Sequence, residues 1–303
     1  METSDTDFAY EVAKVGRFRV NLFRNRMGVA AVFRYIPAKI LSASQLSLPR
    51  AMLQFCNLTK GLVVVTGPTG SGKSTTLAAL IDTINNTRSD HILTIEDPIE
   101  FVHQARRCLI NQREVHSHTT SFARALRAAL REDPDIVLIG EMRDLETVAI
   151  AIETAETGHL VFGTLHTTTA VSTIDRIIDQ FPSGQQMQIR TMLSSSLKGV
   201  VAQTLVKKIG GGRAGAYEIL VTDDAVASMI RESKNHMIRN HMATQKVAGN
   251  MLLNESLIAL AKAEKVALRD AFLKAVDKKD FIELGRRAGL PVQTLEENYR
   301  KPA

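Results

Sequence analysis

Eight consecutive residues, Gly67 to Ser74 (GPTGSGKS), match the pattern G-x-x-x-x-G-K-[ST]. Gly67, Gly70 and Gly72 let the backbone curl so that its N–H groups point inward, where they and a following helix N-terminus can cradle phosphates. Lys73 supplies a positive charge to the β- and γ-phosphates, and the Ser74 hydroxyl can ligate Mg2+. The setting supports the motif: an apolar run, GLVVVT, precedes it and a helical pattern starts near Lys73. An ordinary glycine-rich turn is the plain alternative. Residues Gly67, Pro68, Thr69, Gly70, Ser71, Gly72, Lys73, Ser74 and Thr75 are the candidate contacts for ATP.

Acids for such a site belong at the carboxyl ends of the strands, because ligands of open α/β sheets sit there. HILTIEDPIEF leaves its strand at Glu96 and Asp97, turns at Pro98 and presents Glu100. DIVLIGE ends in Glu141, with Gly140 standing where a nucleotide hydrolase usually places a metal-holding aspartate. Glu141 must then supply the carboxylate near the magnesium, largely through water, since Mg2+ keeps several waters. Glu100, on a loop free to approach the γ-phosphate, is the better general base. The competing reading makes these acids helix caps, which suits Asp97 and Asp144 better than Glu141.

TAETGHLVFGTLHTTT brackets another strand, with His159 at its start and His166 at its end. Seven residues of extended chain separate the rings by roughly 23 Å, so they cannot share a metal unless the chain folds back. His166, beside Thr164 and Thr167, is placed to sense the γ-phosphate or to bond Glu141. His159 is expected to meet a neighbouring subunit or to cap the preceding helix. Five arginines near the N-terminus, Arg17, Arg19, Arg24, Arg26 and Arg34, exceed what a short hairpin needs for solubility. They suit either a solvated strand face or fingers reaching an adjacent subunit's γ-phosphate. Arg124, Arg127 and Arg131 line one helix face, solvated or intersubunit.

The elements that must hold these residues follow from periodicity. Residues 1–36 alternate apolar and polar in GRFRVNLFRNRMGVAAVFRYI, which predicts two strands joined near RNRMG. Residues 37–60, opening with Pro37, read as a linker running into a helix. From Gly61 short apolar strands alternate with helices, which predicts an α/β core with a mostly parallel sheet covered on both faces. Strands are expected to stop after residue 215. A C-terminal helical bundle follows in DDAVASMIRES, NESLIALAKAEK, ALRDAFLKAV and KDFIELGRRAG.

Composition narrows the class. The chain has 303 residues, 45% hydrophobic and 23% charged, which suits a globular protein of one large or two ordinary domains. No apolar stretch is long enough to span a bilayer and no signal-peptide pattern opens the chain, so a cytoplasmic protein is expected. The net charge of +6 is dispersed and Trp is absent, so no nucleic-acid partner is expected. Cys56 and Cys108 are too few and too far apart for a zinc site or a disulfide framework.

Taken together these segments resemble a known family, the type IV pilus and type II secretion ATPases, and within it the PilT-like pilus retraction motors. The resemblance runs from residue 8 to about 275. It rests on GPTGSGKST, ILTIEDPIEF (similar to the family's Asp box), REDPDIVLIGEMRD (its atypical Walker B, also with Gly before Glu) and TAETGHLVFGTLHT (its His box). INQREVH and GGGRAGAYEI also look like retraction-motor segments.

The resemblance implies a P-loop RecA-like core over 61–220, a truncated PAS-like domain over 1–36 represented by its last two strands, a linker and helix over 37–60, and a helical region over 221–303. It implies a hexameric Mg2+-dependent ATPase with Lys73, Glu100, Glu141, His159 and His166 at the motif positions. Arg17, Arg19 and Arg34 would contact a neighbour's nucleotide. The motor would lie peripherally at the inner face of the cell membrane and drive type IV pilus retraction through an inner-membrane platform protein, alongside related pilus ATPases. Extension motors commonly carry a tetracysteine zinc site, which two cysteines cannot make. AVASMIRE stands where retraction motors carry AIRNLIRE, and with the short N-terminus it keeps open a second reading, a nucleotide-gated accessory subunit with little turnover.

Overall fold

The computed structural model describes residues 5–12, 15–36, 39–293 and 295; Pro37, the expected start of the linker, and the C-terminal residues from 296 lie outside them. Ten strands occur among the described residues: β1 (Asp5–Val12), β2 (Gly16–Asn25), β3 (Gly28–Ile36), β4 (Gly61–Thr66), β5 (His91–Glu96), β6 (Leu109–Glu114), β7 (Ile136–Ile139), β8 (Leu160–Leu165), β9 (Leu197–Lys207) and β10 (Arg213–Val221). The helices are α1 (Arg50–Gln54), α2 (Lys73–Thr87), α3 (Phe122–Ala129), α4 (Leu145–Glu156), α5 (Ala170–Asp179), α6 (Ser183–Ser196), α7 (Asp224–Arg231), α8 (Ile238–Thr244), α9 (Leu253–Lys262), α10 (Leu268–Lys274) and α11 (Lys278–Arg287).

The central sheet has seven strands in the order β10-β9-β4-β8-β7-β5-β6. All neighbours are parallel except β9 and β10. The expected parallel sheet covered on both faces is therefore observed. Alternate residues of each strand feed opposite cores. Leu93, Ile95, Val137 and Ile139 pack with α3 to α6 on one face, while Ile92, Ile136, Leu138 and Phe162 pack with α1 and α2 on the other. Each such fully buried side chain contributes about 1.5–3 kcal/mol before chain entropy is charged against it. The helices start where short polar side chains cap them: Ser121 accepts from Arg124 N, Asp144 from Thr147 N and Asp223 from Val226 N.

Two expectations need correction. The N-terminal unit is a three-stranded antiparallel sheet, β1-β2-β3, rather than a two-stranded hairpin. DTDFAYEV has few large apolar positions and becomes a strand by pairing with β2 from Asp5↔Phe23 to Val12↔Gly16. The β2–β3 turn does fall at Arg26 and Met27, and Phe18 packs edge-on against Phe33 and Tyr35. Strands also do not stop at 215: β10 runs to Val221, antiparallel to β9. Beyond it α9 to α11 close a third core, in which Leu257 and Phe281 pack against Val206 and Ala216 of β9 and β10.

Candidate active site

The turn between β4 and α2 carries GPTGSG. Gly67 has φ +146°, and a Cβ there would run into the carbonyl oxygen of Gln203, so only glycine lets the loop lie this close to β9. From that strand Gln203 Nε2 donates to Ser71 O at 2.7 Å and pins the loop from below. Gly72, in the left-handed region, is the N-cap of α2 and offers no side-chain acceptor, so the first-turn N–H groups have no cap. Lys73 Nζ folds back onto Gly67 O at 2.8 Å, and Ser71 Oγ is buried without a hydrogen-bond partner. Uncapped amides, an orphan hydroxyl and a lysine that satisfies itself on the loop fit a phosphate ligand. Ser74 and Glu141 are the groups at hand for an accompanying Mg2+.

Glu141 follows β7 at the sheet's carboxyl edge. His166 Nε2 donates to its Oε1 at 2.8 Å, and Arg143 lies 2.6 Å from its Oε2. Lys73 Nζ lies 3.5 Å from His166 Nδ1. A ring protonated at Nε2 satisfies both contacts, donating to the carboxylate and accepting from the lysine. The result is a continuous polar chain, Lys73–His166–Glu141–Arg143, from the phosphate loop to the end of β7. Partial burial would raise the Glu141 carboxyl, but Arg143 and His166 outweigh it and hold it below its usual range. Burial lowers Lys73, and Glu141 and Glu100 pull it part of the way back, so both carboxylates act on this ammonium.

Glu100 sits in the loop between β5 and β6. Asp97, for which a capping role was open, caps no helix, because that loop runs through a cis Asp97–Pro98 bond to the next strand. Asp144 does cap α4. Behind Glu100, the Glu96 carboxyl turns inward and accepts from Thr94 Oγ1 at 2.7 Å, Gln112 Nε2 at 3.2 Å and the Glu100 N–H. Burial pushes Glu96 up to about 7.

Gly140 has a steric explanation. A Cβ there would lie 3.1 Å from Ile95 O and 3.2 Å from Glu96 Cα, both backbone atoms of the adjoining strand, while Gly140 N donates to Ile95 O at 2.7 Å. A side chain at this position is crowded by backbone, and the carboxylate stands one residue on, at Glu141.

The structure thus brings together the phosphate loop, Glu100, Glu141 and His166. His159 is not among them: it lies at the opposite end of β8, where Nδ1 meets Thr154 O at 3.1 Å and closes the last turn of α4. Nor do Arg19 and Arg34 reach this chain's phosphate loop. They face each other across β2 and β3, Arg19 lies 3.9 Å from Asp7, and Arg34 is exposed. Arg17 lies 3.5 Å from Glu114 at the end of β6. Of the expected helical stripe only Arg124 and Arg127 lie on α3, which ends at Ala129; Arg131 falls in the turn beyond it, all three are exposed, and Arg127 pairs with Glu146 on α4. Cys56 and Cys108 are both buried and free. Sequence reasoning missed Arg143 and Gln203, and named Glu96 at its strand end without giving it a role. Arg143 could have been found two residues after Glu141, but nothing in the sequence pairs Gln203 with a loop 132 residues away.

Residues 4–211 match the family model of type II/IV secretion system proteins. The chain is 52% identical over 280 residues to the type IV pilus retraction ATPase PilT of Pseudomonas aeruginosa, covering 92% of this chain and 81% of that protein. It is 53% identical over 264 residues to a twitching motility protein of Neisseria gonorrhoeae, covering 87% and 71%. The crystal structure of the pilus retraction motor PilT with bound ADP superposes with a TM-score of 0.86 at 51% identity, covering 92% of this chain and 80% of that one. The family model's match to residues 4–211 and the 52% identity over 92% of the chain make this protein a member of the type II/IV secretion system ATPase family.

Proposed function

We propose that this chain is an ATP-hydrolysing motor that powers type IV pilus retraction, working as a homo-oligomer, a hexamer, at the inner face of the cell membrane against a platform protein. The observation that carries the reading is the Lys73–His166–Glu141 chain, which ties the phosphate loop to the one acid at the end of β7. Likeness to the retraction motor over 92% of the chain supports the direction of force.

In this reading the loop amides of Gly67 to Thr75 bind the phosphates of ATP. Lys73 leaves Gly67 O for the phosphate oxygens, a short swing for a flexible side chain. Mg2+, held from Ser74 and through water from Glu141, would neutralise phosphate charge. Glu100 takes the proton of the attacking water at its carboxylate, and the Glu96 carboxyl behind it holds the loop backbone in place. His166 keeps Glu141 oriented and senses the lysine's departure through Nδ1. Arg17, Arg19, Arg34 and His159, which do not meet this chain's own loop, are assigned to the neighbouring subunit's site, where a trans cation stabilises developing charge.

The test is restoration of twitching in a Pseudomonas aeruginosa strain lacking its own retraction ATPase, with Lys73→Ala as the control. Restored movement with the wild-type chain alone supports the reading. Tight ATP binding with negligible turnover at oligomer-forming concentrations would instead support the accessory subunit.

A further inference from the structure

Glu114 ends β6 at the same sheet edge, opposite Glu96 in the β5–β6 register. It is 9% exposed, and its carboxylate has three partners from three parts of the chain. Oε2 accepts the backbone N–H of Ile99 at 3.0 Å, Oε1 accepts from Ser117 Oγ at 2.9 Å, and Arg17 of the N-terminal sheet lies 3.5 Å from Oε2. Ile99 immediately precedes Glu100. The far end of the same loop hangs on β6 too, since Gln112 accepts from His103 N at 2.8 Å and donates to Phe101 O at 2.9 Å. The loop carrying the acid is therefore suspended from two β6 side chains, and one of them, Glu114, is paired with Arg17 of the N-terminal sheet.

A buried carboxylate without its cation is costly, and a carboxylate fixed by a guanidinium makes a better oriented acceptor than one left to find its own geometry. Arg17 supplies that cation in this chain. Without Arg17, Glu114 would keep Ile99 and Ser117 but lose its counter-charge.

We propose that Glu114 is a positioning residue through which the N-terminal sheet sets the acidic loop: Arg17 fixes the Glu114 carboxylate, and that carboxylate fixes the backbone at Ile99, one residue before Glu100. The proposal rests on Glu100 as the base. It gives Arg17 a role within its own chain, distinct from any contact with a neighbour's nucleotide.

Hydrogen exchange over residues 97–103, without nucleotide, tests the coupling directly. We compare the wild type with Arg17→Gln, Glu114→Gln and the double variant. Glu114→Gln preserves shape while removing charge, and Glu114→Asp serves as a second probe that keeps charge and shortens reach. Exchange is expected to rise roughly threefold to tenfold in each single variant, the scale of one weakened hydrogen bond, with the double no faster than Glu114→Gln. Wild-type exchange in Arg17→Gln, or multiplied effects in the double, would overturn the coupling. In turnover, Glu114→Gln should lower kcat by a similar factor with KM within about twofold, whereas a loss confined to KM would overturn the positioning role. A wild-type chain that hydrolyses no ATP would sink the choice of base while the exchange result still decides the coupling.

Discussion

Replacing Gly140 by aspartate restores the residue that many nucleotide hydrolases carry there, and it is expected to damage this protein. The Cβ alone would stand 3.1 Å from Ile95 O and 3.2 Å from Glu96 Cα. Neither atom belongs to a flexible side chain that can swing aside. To open each contact by a few tenths of an ångström, the end of β7 must move off β5, against the 2.7 Å bond from Gly140 N to Ile95 O. Overpacking of this kind costs about 1–3 kcal/mol, so Gly140→Ala alone should lower Tm by roughly 3–10 °C in a domain of this size. Aspartate adds a second carboxyl beside Glu96, whose own carboxyl burial already pushes to about 7, and so belongs at or beyond the upper end. Glu141 is the next residue, and its shift by a few tenths of an ångström should reduce turnover, by less than the about hundredfold that a 1 Å misplacement costs. Circular-dichroism melts and steady-state ATP turnover on the wild type, Gly140→Ala and Gly140→Asp read both effects. A Gly140→Asp protein that melts within about 1 °C of wild type and hydrolyses as fast would refute the steric account.

Two further outcomes follow from the charges around this edge. Between its ordinary value of 4.5 and about 7, folded Glu96 holds a proton that the unfolded chain has released, so stability falls as pH rises through that window. The cost, about 3 kcal/mol, is fully present above pH 7; Glu96→Gln should gain on wild type in melts between pH 5 and pH 8, and a pH-independent difference would count against it. Arg143→Ala removes the cation on Glu141 Oε2, so the Glu141 carboxyl rises and the acid limb of the kcat–pH profile should move to higher pH, with kcat at neutral pH down by roughly threefold to tenfold. An unmoved acid limb would show that Arg143 does not hold that carboxylate in the working enzyme.

The parts of this site that were legible in the sequence are those held by neighbours in the chain. GLVVVT followed by GPTGSGKS announces a strand, a phosphate loop and a helix within one stretch, and the strands ending at Glu96, Glu141 and His166 show themselves by continuous apolar runs. β6 (LINQRE) escaped because it is a sheet edge with polar side chains, and those polar residues, Gln112 and Glu114, are the ones that suspend the acidic loop. β10 was cut short because GGGRAGAYEI opens on glycines, and its pairing with β9 decides the matter from a distance. Gly140 shows the limit most clearly. In the sequence it is a missing aspartate, and only the approach of Ile95 and Glu96 shows that a larger residue there would crowd the adjoining backbone. Arg17 was legible as a charge seeking a partner, but its partner, Glu114, lies 97 positions along the chain and no periodicity links them.

The central claim is that the acids at this edge hydrolyse ATP, with Glu100 taking the water's proton. Nucleotide affinity and turnover measured on the same samples of wild type and Glu100→Gln test it most directly. The expected result is Mg2+-dependent hydrolysis by the wild type, and a Glu100→Gln protein that binds ATP as tightly while turning over about 10²- to 10⁴-fold more slowly. A Glu100→Gln protein that hydrolyses at the wild-type rate would contradict the account.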